Sequence, residues 1–177
     1  HYSFHAGIAL ALLVYRVHEG STKVNRETLE IEETRFQQAV EEIAAGEAWG
    51  AMDITEPDAG SDMAKLKTRA RQDEDGNWFI TGNKIYITSG HGKWHIVIAR
   101  TEEDESLGLE GLSLFLVKAY EDKEDGTRER YVDIVRIEEK LGHHGSATCA
   151  LDFDNVPAQL IGERGEGFKL MLLLMNN

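Results

Sequence analysis

The sequence predicts an α+β chain: an antiparallel β-barrel or sandwich, preceded by helices and followed by the start of another helix. Three observations carry this reading. Apolar residues recur at helical spacing as far as about residue 45, the period falls toward two from Trp49, and helical spacing returns at Glu166. The strand-like stretches follow one another with glycine or acidic turns and no helix between them, the pattern of a barrel or sandwich. The composition, 41% hydrophobic and 29% charged over 177 residues, is that of a globular chain long enough to bury a core.

Residues 5–18 are apolar on nearly all sides, as in a buried helix. Gly20-Ser21-Thr22 ends that segment. Residues 27–45 form a second expected helix with Leu29, Phe36, Val40 and Ile43 on one stripe, and Gly46 is placed to cap it in the left-handed conformation. Strands are expected near 50–55, 66–72, 78–81, 83–88, 96–101, 112–118, 131–137 and 148–152, rich in β-branched and aromatic residues. Asp75-Gly76 marks a hairpin turn. The acidic stretches 102–111 and 121–130 read as solvated loops, and a helix restarts at Glu166.

A formal charge of −13 disfavours a phosphate-backbone partner, so nucleic acid is not expected. No apolar run, neither residues 8–15 nor residues 170–175, reaches the roughly 18 residues of a membrane helix. Cys149 has no second cysteine to pair with, which fits a reducing compartment. His1 in place of Met, and an end two residues past an apolar run, mark the chain as an expected excerpt of a longer polypeptide.

Two segments carry chemistry. In Thr55-Glu56-Pro57-Asp58-Ala59-Gly60-Ser61-Asp62 a strand ends, Pro57 sets a turn, and small side chains leave the backbone bare. Such amides suit an anion such as a pyrophosphate, though on local chemistry alone such a segment is more often an ordinary turn. In Gly82-Asn83-Lys84-Ile85-Tyr86-Ile87-Thr88-Ser89-Gly90 alternation puts Tyr86 and Thr88 on one face, a ring and a hydroxyl that suit a planar cofactor or a plain sheet surface. His91 and His95 are four apart but fall in a loop and a strand start, and no metal site is expected.

The order and spacing of these segments resemble the acyl-CoA dehydrogenase family, whose middle domain carries a T-E-P-x-A-G-S-D turn and then a G-x-K-x-[WY]-I-T strand. Ala45-Gly46-Glu47, Ile98-Ala99-Arg100-Thr101, Glu139-Lys140-Leu141-Gly142, Asp154-Asn155-Val156-Pro157, Leu160-Ile161-Gly162-Glu163 and Gly165-Glu166-Gly167-Phe168 extend the likeness from about residue 4 to the end. It implies the end of an N-terminal helical domain over 1–48, a middle β domain for FAD and acyl-CoA over 49–162, and the start of a C-terminal helical domain over 163–177. FAD would be lined by Ile54, Thr55, Gly60, Ser61, Tyr86, Ile87 and Thr88. Tyr86 would pack on the ring and Thr88 would bond the ring nitrogen that accepts the hydride. Ser61 and Thr101 would contact the substrate.

The implied activity is α,β-desaturation of an acyl-CoA thioester with hydride transfer to flavin. Electrons would pass to an electron-transfer flavoprotein from a homotetramer, in the cytoplasm or a mitochondrial matrix. The family's catalytic glutamate would lie beyond Asn177, so the 177-residue chain is expected to be inactive alone, and Glu56 is read as structural. Asp53 stands where a small or apolar residue is usual, Asp58 where glycine is common, Tyr86 where tryptophan is frequent and His144 where arginine is frequent. An acyl-CoA oxidase, a nitroalkane oxidase or a non-catalytic β-barrel binding module are the alternatives.

Overall fold

The computed structural model describes residues 23–25, 27, 28 and 31–175. The helix expected over 5–18, and Leu29 of the second one, lie outside the described residues. Strand β1 (Lys23–Val24) pairs antiparallel with β2 (Ile31–Glu33), and helix α1 (Gln37–Ala44) follows. The helix is thus shorter than the 27–45 expected. A turn at Thr34 leads into it: the Thr34 hydroxyl accepts from the Phe36 amide at 3.3 Å and its carbonyl from the Gln37 amide at 3.2 Å. Upstream, Ile31–Glu33 spends its backbone on β1 instead. The expected stripe survives in Phe36, Ala39, Val40 and Ile43, all buried, and Gly46 follows at φ +76°.

The main sheet comprises β3 (Gly50–Asp53), β4 (Arg69–Gln72), β5 (Trp78–Thr88), β6 (Trp94–Arg100), β7 (Leu112–Lys118), β10 (Val132–Ile137) and β11 (Thr148–Ile161). Strands β5, β4, β6, β7 and β11 pair in a ring that closes as a five-strand barrel. The ring is antiparallel except at β4–β6, where the only paired residues are Arg69 and Arg100, and β3 also runs parallel to β6. Both β3 and β4 therefore lie along one edge of β6, and the chain leaves the barrel between them. The turn motif occupies that gap.

Two expected strands, 78–81 and 83–88, are one. Gly82, at φ +149°, carries β5 through the bend, and a Cβ there would stand 2.5 Å from the Thr68 hydroxyl. The Asp75-Gly76 turn forms as expected, with Asp73 Oδ1 accepting from the amides of Asp75 and Asn77. Strand β11 runs past residue 152 to Ile161 because it changes partners, leaving β5 for β7 over residues 158–161. The acidic stretch 121–130 is not a plain loop: β8 (Tyr120–Asp122) and β9 (Arg128–Arg130) form a hairpin, with the Arg128 guanidinium on Asp122 at 2.7 Å and 3.7 Å above the Tyr120 ring. The stretch 102–111 holds a 3-10 segment, Glu105–Gly111.

Every residue of β6 is buried, because the strand has core on both faces. Val97 and Ala99 point into the barrel with Phe115, Ile87, Cys149 and Leu151. Trp94, Ile96 and Ile98 point outward, under α1 and under Leu170 and Met171 of α2 (Gly167–Met175). Burial pushes the Cys149 thiol up, so it behaves as a small core residue. No described helix is long and apolar enough to cross a membrane.

One charged pair interrupts the barrel interior. Asp53 and His95 are both fully buried, with Nδ1 2.7 Å from Asp53 Oδ2 and Nε2 3.2 Å from the Gly92 carbonyl. Both ring nitrogens meet oxygen acceptors, an arrangement that favours the doubly protonated ring. Burial works against that charge, but the adjacent carboxylate outweighs it and raises the His95 pKa above its ordinary value. The stabilisation is fully present below the unfolded-state value of about 6.5 and is lost as pH climbs through the higher folded-state value. Urea midpoints should therefore fall as pH is raised above neutrality, and His95→Gln should remove that decline; a slope unchanged in the variant would assign it to another group.

Candidate functional site

The turn after β3 is held from inside the protein. Glu56 and Ala59 exchange backbone hydrogen bonds of 3.1 Å in both directions across Pro57 and Asp58. Ala59 is buried in the outer core, whereas Pro57 and Asp58 are exposed, and Asp58 reaches Lys67 at 3.0 Å. The Glu56 side chain turns inward. Its Oε2 accepts from the Lys67 amide at 2.6 Å, and Oε1 accepts from the Thr68 amide at 3.0 Å and from Lys84 Nζ at 2.9 Å. Lys84 Nζ also donates to the Ile54 carbonyl at 2.9 Å.

Burial alone would raise the Glu56 pKa. The Lys84 charge and the hydrogen bonds from Lys67 and Thr68 outweigh it and hold the carboxyl below the usual range. Lys84 is wholly buried, and burial pushes its pKa down while Glu56 opposes the shift.

Lys84 points inward because β5 carries a bulge. On β11, Cys149 and Leu151 are two residues apart, yet they face Ile87 and Lys84, which are three apart. The extra residue puts Tyr86 at φ +60°, a conformation an aromatic L-residue adopts only when its surroundings impose it. The Ile85 amide, left out of the ladder, donates to the Thr55 carbonyl at 2.9 Å. That bond, with the one from Lys84 to Glu56, joins the turn motif to the strand motif.

The outcome for the expected site residues is specific. Tyr86, 60% exposed, and Thr88 point outward beside the turn, as alternation predicts. Gly60 and Ser61 are exposed, and a Cβ on Gly60 would meet only open space. Among the described residues nothing hydrogen-bonds the amides of Gly60 and Ser61 or the side-chain hydroxyls of Thr55, Ser61, Tyr86 and Thr88. Bare amides, free hydroxyls and an exposed ring on one stretch of surface suit a flat ligand with an anionic tail.

The Ile87 side chain is 2% exposed inside the barrel and can offer a ligand only its backbone. Thr101 stands apart: its hydroxyl pairs with Ser113 Oγ at 2.8 Å, and it lines a separate cavity. The Ile54 side chain packs against the outer core, and its carbonyl is taken by Lys84. His91 stacks on Trp49 at 5.0 Å while His95 faces Asp53, so the two do not converge.

Sequence reasoning passed over Lys84, Arg100 and the Asp53–His95 pair. A lysine inside a strand of apolar and β-branched residues was the one available signal. Lys84→Met would strand an ionised Glu56 in the interior, and loss of one partner of a buried pair costs about 3–5 kcal/mol. Denaturant unfolding should report a loss of that size, with most of it recovered by adding Glu56→Gln; an effect under about 1 kcal/mol would show that the pair is not what closes the seam.

The family model described as acyl-CoA dehydrogenase, middle domain, matches residues 51–156. The chain is 34% identical over 145 residues to the 3-methylmercaptopropionyl-CoA dehydrogenase of Ruegeria pomeroyi, covering 78% of this chain and 24% of that protein. It is 41% identical over 144 residues to the broad-specificity linear acyl-CoA dehydrogenase FadE5 of Mycobacterium tuberculosis, covering 73% and 23% respectively. The butyryl-CoA dehydrogenase structure from Megasphaera elsdenii superposes with a TM-score of 0.67 at 31% identity, over 79% of this chain and 36% of that one. The chain thus spans about a quarter of the length of these two curated relatives.

Proposed function

The chain belongs to the acyl-CoA dehydrogenase family, and we propose that it serves, within a longer protein, as the part that holds FAD against an acyl-CoA thioester for α,β-desaturation. When bound, FAD supplies the redox chemistry by accepting the hydride from the β-carbon. The observation that carries the reading is the Ile85 amide on the Thr55 carbonyl at 2.9 Å, which brings the bare-backbone turn alongside Tyr86 and Thr88.

In this reading each residue has a limited task. The Tyr86 ring gives the isoalloxazine a flat support, and its strained backbone points the ring outward. The Thr88 hydroxyl donates to the ring nitrogen that receives the hydride. The Thr55 hydroxyl and the backbone of Ile54 and Ile87 border the ring. The amides of Gly60 and Ser61 hold the pyrophosphate, and the Ser61 hydroxyl faces the pantetheine arm. Thr101 would border the coenzyme A portion from the neighbouring cavity.

The α-proton needs a carboxylate base, and Glu56 does not fit. It is 5% exposed and its oxygens are committed to Lys67, Thr68 and Lys84. We place the base outside residues 1–177, so this chain alone is inactive. We further assign segments 1–48 and 163–177 to flanking helical domains, an electron-transfer flavoprotein as electron acceptor, a homotetramer as the working assembly and a reducing compartment as its location.

Thr88→Val tests the reading in the protein that carries this chain. Loss of one hydrogen bond costs on the order of 1 kcal/mol, so FAD should bind about fivefold more weakly and its reduction potential should move. Flavin absorbance during titration and a redox titration read both quantities. Unchanged affinity together with an unchanged potential would overturn the placement of Thr88.

A further inference from the structure

A cavity of about 360 Å³ opens where β4, the start of β5 and the end of β6 meet, bordered by Arg69, Arg71, Trp78, Arg100, Glu103 and Arg164. None of the residues assigned to the flavin lines it. At its floor Arg100 is 2% exposed, and its guanidinium donates to the carbonyls of Ala64 at 2.7 Å and of Leu66 and Gly108 at 3.2 Å. Those carbonyls engage each guanidinium nitrogen once without neutralising the charge, and among the described residues no carboxylate pairs with it. A buried charge left without a counter-charge is costly, and a bound anion would offset that cost.

The walls point the same way. Arg164 lies 5.6 Å over the Trp78 ring and holds Glu102 at 2.7 Å, and Arg69 holds Glu105 at 3.2 Å. Arg71 is exposed, and its side chain has no hydrogen-bond or ion-pair partner among the described residues. Glu103 is the one carboxylate lining the cavity. Lys67, Arg69 and Arg71 also border a second cavity of about 420 Å³, together with Phe79, Thr81 and Asn155. In a chain of net charge −13 this is a local reversal of sign. Four guanidiniums, whose planar forks match phosphate oxygens, define the chemistry.

We propose that this cavity is a phosphate subsite that takes a phosphate monoester dianion, ligated by Arg71 and Arg164 with Arg100 as the fixed charge behind them. Two carriers offer that group. One is the ribose phosphate of coenzyme A, an arm that rests on the acyl-CoA reading above. The other is a free nucleotide with the same monoester, which does not.

Calorimetric titration of the protein with coenzyme A, 3′-dephospho-coenzyme A and adenosine 3′,5′-bisphosphate separates them. Coenzyme A should bind at least about tenfold more tightly than its dephospho form, and Arg71→Gln with Arg164→Gln should erase that difference while leaving FAD retention unchanged. Arg71→Lys should restore part of it, since a lysine keeps the charge and loses the fork. Binding of the bisphosphate with the same arginine dependence, and none of coenzyme A, would support the subsite with a nucleotide as its carrier and count against the acyl-CoA reading. If coenzyme A and FAD bind normally and neither phosphate ligand responds to the arginine substitutions, the subsite falls and the acyl-CoA reading stands.

Discussion

Glu56 and Lys84, buried together at 2.9 Å, close the side of the barrel that strand pairing leaves open. Between β3 and β4 the chain leaves the sheet, and β4 meets β6 at a single residue pair. The carboxylate of Glu56 gathers the first amides after the excursion, at Lys67 and Thr68, and the ammonium of Lys84 gathers the carbonyl of Ile54 before it. Both ends of the exposed turn are therefore anchored to the middle of β5. A hydrophobic pair of similar volume could fill the space but could not terminate the loose amides and carbonyl, and unpaired buried polar groups are what an interior tolerates least.

The same anchoring explains why the turn can present a bare backbone to solvent. Its rigidity comes from below, through Glu56 and the buried Ala59, so its upper surface need not hydrogen-bond to the rest of the protein. The bulge in β5 serves both sides at once. It turns Lys84 inward to meet Glu56 and sends Tyr86 outward beside the turn. The backbone strain at Tyr86 is held by long ladders to β11 on one side and by the Ile85–Thr55 bond on the other.

Charge is distributed by the same logic of compensation. Inside the barrel Asp53 and His95 answer one another, and in the outer layer Glu42 answers Lys93 at 2.7 Å while accepting from the Trp94 indole at 2.8 Å. Arg100 departs from that pattern, being buried with carbonyl partners alone. The acidic surface elsewhere does nothing to relieve it, because solvent screens exposed carboxylates from a guanidinium at the base of a cavity.

What the sequence by itself determined is what depends on neighbours along the chain. The stripe of Phe36, Val40 and Ile43, the Asp73–Asn77 turn, the β character of the middle region, the outward facing of Tyr86 and Thr88, and the helix after Glu166 all follow from local periodicity or turn chemistry. Only the tertiary structure decided where the ring of strands closes, how far β11 runs, and which charges meet across 28 residues at Glu56–Lys84 or 42 at Asp53–His95. Strict alternation would put Lys84 on the Tyr86 face, and one extra residue in the pairing with β11 moves it to the other. A period of two cannot reveal such a slip, because register is set by a partner strand more than sixty residues away.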